Sequence, residues 1–205
     1  MSTIQTLTGP IDTSEMGYTL AHEHIFVSDE GLIHNFPSVW NEDFIIQKAR
    51  EKLTQAYKAG IRTIVDAAVL GNGRNVALVK RAAGGLPIHI IVSTGTFYRD
   101  ELPGFFASQD INVMTRLFVN DIVNGIGDTG VKAAVVKACT DHQGVTFGVE
   151  KALRAAARAH LETGAVLHTH AHAPTQRGLE QLKIFKEEGV DLSTVYIGHC
   201  LNSDD

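Results

Sequence analysis

Six short apolar runs alternate with five longer stretches whose apolar residues recur at helical spacing, and few folds accommodate that order. The strand-like runs cover residues 20–27, 61–70, 87–94, 131–138, 165–169 and 195–198. The helical stretches cover 42–59, 75–83, 111–126, 149–161 and 179–188. In the first of these, Phe44, Ile45, Ala49, Leu53, Ala56 and Tyr57 fall on one face, and Gly60 ends it. The strands are apolar throughout rather than alternating, as in a parallel sheet covered by helices on both faces. The expected class is therefore α/β, built from about six βα units in a single domain spanning 1–205. Periodicity leaves two architectures open, a doubly wound open sheet and a closed barrel. No G-x-G-x-x-G or G-x-x-x-x-G-K-[ST] follows a strand, which counts against a nucleotide-binding open sheet.

Composition removes several functions. The net charge is −5 and basic residues do not cluster, so we expect no nucleic-acid partner. No apolar run approaches the ~20 residues of a membrane span. The N-terminal residues lack the charged and apolar regions of a signal peptide, and two cysteines far apart, Cys139 and Cys200, fit a reducing compartment. A cytoplasmic location is the expectation. The unusual number is ten histidines.

Their positions carry the chemistry. His22 and His24 flank Glu23 at the first strand, and residues two apart in a strand share a face. Lys137 ends the fourth apolar run. His168, His170 and His172 cluster at the end of the fifth, and His199 follows the sixth. In a barrel the C-terminal strand ends converge on one mouth, so four strands would deliver His22, His24, Lys137, His170 and His199 to one place. A lone strand histidine is more often a hydrogen-bonded core residue than a ligand. That reading, or simple exposure, suits His34, His89, His142 and His160, and Lys132 reads as an exposed strand lysine. Lys137 lies where burial is expected. A buried lysine loses its charge readily, and a neutral amine can take up carbon dioxide as a carbamate able to bridge two cations.

The pattern resembles the phosphotriesterase family of the amidohydrolase superfamily, most closely its lactonase branch. The resemblance runs from Gly9-Pro10-Ile11-Asp12 to Asp205. It includes Thr19-Leu20-Ala21-His22-Glu23-His24, Gly130-Val131-Lys132-Ala133 leading to Lys137, and His168-Thr169-His170-Ala171-His172. It continues through Arg177-Gly178-Leu179-Glu180-Gln181, Glu187-Glu188-Gly189-Val190-Asp191 and Ile197-Gly198-His199-Cys200. It implies a (β/α)8 TIM-barrel type. It also implies two divalent ions, zinc first, with cobalt, manganese or iron as substitutes. His22 and His24 would bind the more buried ion and His170 and His199 the more exposed one, with Lys137 bridging as its carbamate. His168 and His172 would support the ligands or belong to the loop. The implied reaction is lactone opening, acyl-homoserine lactones included, by a hydroxide bridging the metals, with weaker phosphotriester hydrolysis. The substrate would be a small lactone or ester and the intact protein a homodimer.

Three departures qualify that expectation. The family has two further βα units, and an aspartate on its eighth strand completes the metal site and accepts the proton, so we expect a C-terminally incomplete chain. An acidic residue common after the sixth-strand histidine is Asn202 here, with Asp204 nearby. A tyrosine common in the lactonases' third-strand loop is matched by Phe97, with Tyr98 one residue later; we take both as substrate-binding. Phe97, Tyr98, Pro103, Phe105 and Phe106 would make an apolar mouth suited to an acyl chain or aryl group, or else a loop packed on its own barrel. Alternatives are an inactive barrel fragment and a related amidohydrolase acting on another ester or amide.

Overall fold

The computed structural model describes residues 2–200. Six parallel strands form one sheet in sequence order: β3 (Thr19–Glu23), β4 (Thr63–Asp66), β5 (His89–Gly95), β6 (Val135–Cys139), β7 (Val166–His170) and β8 (Val195–Gly198). Each neighbouring pair is parallel, with registers such as Ile64↔Ile90, Gly95↔Lys137, Lys137↔His168 and His168↔Tyr196. The sheet curls until His22 of β3 meets His168 of β7 and His199 beyond β8, at ring-centroid separations of 4.5 and 4.8 Å. This is a nearly closed barrel sheet, and strict sequence order distinguishes it from a doubly wound sheet.

The connecting helices lie outside: α2 (Glu42–Lys58), α3 (Val76–Ala83), α5 (Ile111–Val123), α6 (Phe147–Thr163) and α7 (Arg177–Glu187), with short α1 (Glu30–Asn35) and α4 (Gly104–Ser108) in loops. Asn41, Asn75 and Thr146 cap α2, α3 and α6 by accepting backbone N–H bonds from Phe44, Leu78 and Val149. Gly164, in the left-handed region, closes α6. Two apolar clusters fill the space between sheet and helices. Leu53, Ile64, Val79, Ile90 and Val92 belong to one; Phe118, Val136, Leu153, Leu167 and Phe185 belong to the other. In α6, Ala152, Ala155, Ala156, Ala157 and Ala159 are all buried, so the backbone packs closely where larger side chains would not fit. A third, small cluster of Val65, Ile91 and Val135 lies apart from these two.

The sequence did not lead us to expect β1 (Thr3–Thr6) and β2 (Gly9–Asp12), an antiparallel hairpin. It carries Ile4 toward the Val65, Ile91 and Val135 cluster, where Met16 also packs, and Leu7 N donates to Ile90 O at 2.7 Å. Several strands are shorter than their apolar runs. The run 61–70 yields a strand only over Thr63–Asp66, yet Ala67, Ala68 and Val69 stay buried outside any regular element. Apolar character marks burial there, not extension. His24 likewise falls just past the end of β3, and the β3–β4 register shifts within β3, between Leu20 and Glu23. Among the described residues no helix is long and apolar enough to cross a membrane. Asn202 and Asp204 lie outside the described residues.

Ala156→Leu tests the α6 packing. Overpacking of this kind costs about 1–3 kcal/mol, so urea unfolding should show a lower midpoint with an unchanged slope. A midpoint equal to that of the parent chain would mean the α6–sheet gap is looser than described.

Candidate metal centre

Parallel strands end at the same side of a sheet, and here four of those ends carry the histidines and the lysine. β3 supplies His22, with His24 directly after it. β6 supplies Lys137, β7 supplies His168 and His170, and His199 follows β8. All five sequence-predicted metal residues therefore come to one end of the barrel. Lys137 is fully buried at 0% exposure. Its Nζ donates to Ala67 O at 2.8 Å and lies 3.3 Å from His22 Nε2. His22, His170 and His199 hold candidate ligand atoms all within 4.8 Å of one another. The His170 and His199 rings are 4.5 Å apart, and His24 lies 5.6 Å from His22. His24 Nδ1 is buried without a hydrogen-bond partner. A buried polar atom left unpaired costs stability, and a cation would satisfy it. The donor set is imidazoles with an amine, which suits zinc-like ions. The residues therefore fit a divalent metal.

The electrostatics favour the same chemistry. Burial, then the charge of Lys137, lowers His22 to about 2, His24 to about 4 and His168 to about 3. Burial, then His199 and Lys137, lowers His170 to about 4. His199 is also lowered, by burial first. These imidazoles are neutral at pH 7, the form that binds metal. Burial lowers Lys137 to about 8, against the opposing pull of Cys139 and Asp66.

Two glycines make the cluster possible. Gly95 has φ 119°, and any Cβ there would run into the Lys137 carbonyl oxygen, which accepts a bond from Thr96 N at 3.0 Å. At Gly198 a Cβ would strike the Thr169 carbonyl oxygen and come within 2.7 Å of His22 Nδ1. His199 itself sits at φ 67°, a left-handed conformation that costs a non-glycine residue energy. Gln181, fully buried on α7, donates from Nε2 to His170 O and to Thr140 Oγ1, both at 2.7 Å. It ties the end of β7 to the segment after β6.

The structure separates the two expected substrate residues. The Phe97 ring lies 5.1 Å from His170 and 5.2 Å from Lys137 Nζ, so it walls the cluster. Tyr98 packs its ring against Gly71 instead, and burial together with Glu30 and Asp29 raises its hydroxyl. The aromatic loop also divides: Phe106 is core while Phe105 is exposed, so the expected five-residue mouth is not one continuous patch. His142 and His172 face each other at 6.2 Å on the loops after β6 and β7, and His160 Nδ1 is within 2.7 Å of Ala165 O.

Sequence reading missed Asp66, at the end of β4 and 4% exposed. Burial raises its carboxyl to about 6, while hydrogen bonds from the Ala68 and Ile25 backbones and the charge of Lys137 oppose that rise. Its signal was an acid inside the apolar run Ile64-Val65-Asp66-Ala67-Ala68.

The depressed histidines set a pH dependence of stability for the metal-free chain. An unfolded imidazole takes its proton near pH 6.5, but the folded site does not, so the unfolded state gains protons first. Stability should fall as pH drops from about 6.5 through the folded values, which run from about 4 for His24 and His170 to about 3 for His168 and about 2 for His22. Asp66, raised to about 6, works in the opposite sense between about 4 and 6, but it is one group against five depressed histidines. Denaturant midpoints at pH 7.5, 5.5 and 4.5 should decline in that order; a flat or rising series would contradict the assigned burial.

The profile of the phosphotriesterase family matches residues 2–205. A Mycobacterium tuberculosis protein described as a phosphotriesterase homology protein is 44% identical over 213 residues, covering 100% of this chain and 65% of its own. An aryldialkylphosphatase of Saccharolobus solfataricus is 37% identical over 194 residues, covering 95% and 62%. The solved phosphotriesterase from Mycobacterium tuberculosis superposes with a TM-score of 0.96 at 43% identity, over 100% of this chain and 65% of that one. This chain thus spans about 65% of the length of those mycobacterial relatives. With a six-strand barrel sheet and a histidine–lysine cluster at its C-terminal end, the chain belongs to the phosphotriesterase family.

Proposed function

We propose that this chain carries most of the binuclear metal site of a hydrolase that opens lactones, with weaker phosphotriester hydrolysis. The observation that carries the reading is the convergence of His22, His170 and His199, with ligand atoms within 4.8 Å, beside a lysine with no solvent exposure. His22 and His24 would hold one divalent ion, His170 and His199 a second, and Lys137 both. Bound divalent ions supply a nucleophile at neutral pH and polarise the scissile carbonyl or phosphoryl oxygen.

The chain's own residues prepare that chemistry. The imidazoles are held neutral by burial, so they need not shed protons to become ligands. Lys137 at about 8 keeps about a tenth of its amine neutral at pH 7. That amine can add to carbon dioxide, forming an N–C bond and releasing one proton, to leave a carbamate with two oxygens for two ions. Phe97 gives an apolar wall against Lys137 and His170, where an acyl chain or aryl group would lie and water would be displaced. The aryldialkylphosphatase relative supports the phosphotriester side activity. The lactone preference rests on the motif resemblance together with that apolar wall.

The test is metal content by mass spectrometry, paired with hydrolysis of an aliphatic lactone, an acyl-homoserine lactone and an aryl dialkyl phosphate before and after chelation. We expect about two ions per chain, higher kcat/KM on lactones, and loss of all three activities on chelation. Lys137→Met should remove both the metal and the turnover. Full activity after chelation would overturn the metal assignment, and a preference for the phosphate ester or for an amide would overturn the lactone assignment.

A further inference from the structure

The pair formed by His168 and His22 says more about the site than their proximity. His168 lies on β7 two residues before His170, so both face the barrel interior. It sits opposite Lys137 on β6 and Tyr196 on β8 in the sheet register, and its ring meets Tyr196 edge-on at 4.5 Å. It is 2% exposed. Its Nε2 is 2.9 Å from His22 Nδ1, and the other nitrogen of His22, Nε2, is 3.3 Å from Lys137 Nζ.

The direction of this chain of bonds follows from donor chemistry. An ammonium has three N–H donors and no lone pair. Lys137 Nζ therefore donates, and His22 Nε2 accepts with its lone pair. A neutral imidazole carries one N–H, so the His22 proton is on Nδ1. That N–H points at His168 Nε2, which must accept, leaving the His168 proton on Nδ1. We propose that His168 is a positioning residue that locks His22 in the Nδ1–H tautomer and so presents its Nε2 lone pair to a cation beside Lys137. Buried partners of this kind orient metal-binding imidazoles and fix their tautomer. Gly198 contributes by leaving the space next to His22 Nδ1 free of a side chain. His168 acts through His22 and has no role on substrate. The proposal rests on the reading of His22 as a metal ligand.

Two measurements test it on the 205-residue chain. The first is two-bond proton–nitrogen correlation spectroscopy of the metal-free chain labelled with 15N-histidine, with resonances assigned by single histidine substitutions. We expect His22 as the Nδ1–H tautomer. The second is zinc affinity by chelator competition for the parent, His168→Leu and His168→Gln. Removing the acceptor with leucine should weaken zinc binding about 10–100-fold. Glutamine, whose Oε1 can accept the same N–H, should recover most of that loss. An Nε2–H tautomer at His22, or parent-like zinc binding by His168→Leu, or glutamine as weak as leucine, would overturn the lock. If circular dichroism shows that His168→Leu does not fold, the tautomer and the glutamine variant decide. If the parent chain binds no zinc, the metalloenzyme reading fails by itself. The tautomer then still decides the hydrogen-bond lock, with Nδ1–H upholding it and Nε2–H refuting it.

Discussion

A primary amine with no solvent exposure, surrounded by imidazoles, is the constraint on which the rest of this barrel end depends. Isolated ammonium groups are costly to bury. Here the amine of Lys137 is held by the Ala67 carbonyl and His22, with the carboxyl of Asp66 favouring its charge. The same burial keeps the neighbouring histidines neutral. Acid, amine and imidazoles are thus one electrostatic unit. Its parts arrive from five different strand ends, because only convergent parallel strands bring residues so distant in sequence to one point.

The packing around the unit serves its geometry. The alanine-rich face of α6 lets that helix sit close on β6 and β7, which carry Lys137, His168 and His170. Gln181 reaches from α7 to the His170 carbonyl and to Thr140, joining the ends of β7 and β6. Gly95 allows β5 to close against the Lys137 backbone, and Gly198 leaves room for the His22 ring. Phe97 packs its ring against both Lys137 and His170. The left-handed backbone at His199 is the strained contribution, placed where the chain turns out of β8.

Much of this was legible before any coordinates. Strands of a covered parallel sheet are apolar on both faces, so all six could be placed from their runs; strand ends then located Lys137, His170 and His199, and the two-residue spacing within the first run singled out His22 and His24. The boundaries were less legible because burial continues past the extended backbone, as at Ala67–Val69. The β1–β2 hairpin was hidden because Thr-Ile-Gln-Thr and Gly-Pro-Ile-Asp are short, with a single isoleucine each and no apolar run. Asp66 stood out locally as an acid inside an apolar run, but its place beside Lys137, like the Gln181 bonds and the glycine contacts, depends on register between elements far apart in sequence, which no local pattern encodes. The opposite orientations of Phe97 and Tyr98 likewise depend on how the loop after β5 meets Gly71 and His170.

Anomalous X-ray scattering at the zinc edge, from crystals of the zinc-loaded chain, would locate the ions among these histidines. Two peaks are expected, one between His22, His24 and Lys137 and one between His170, His199 and Lys137, with density bridging them from the lysine. No peak at this cluster, or zinc held instead by the loop histidines His142 and His172, would contradict that placement.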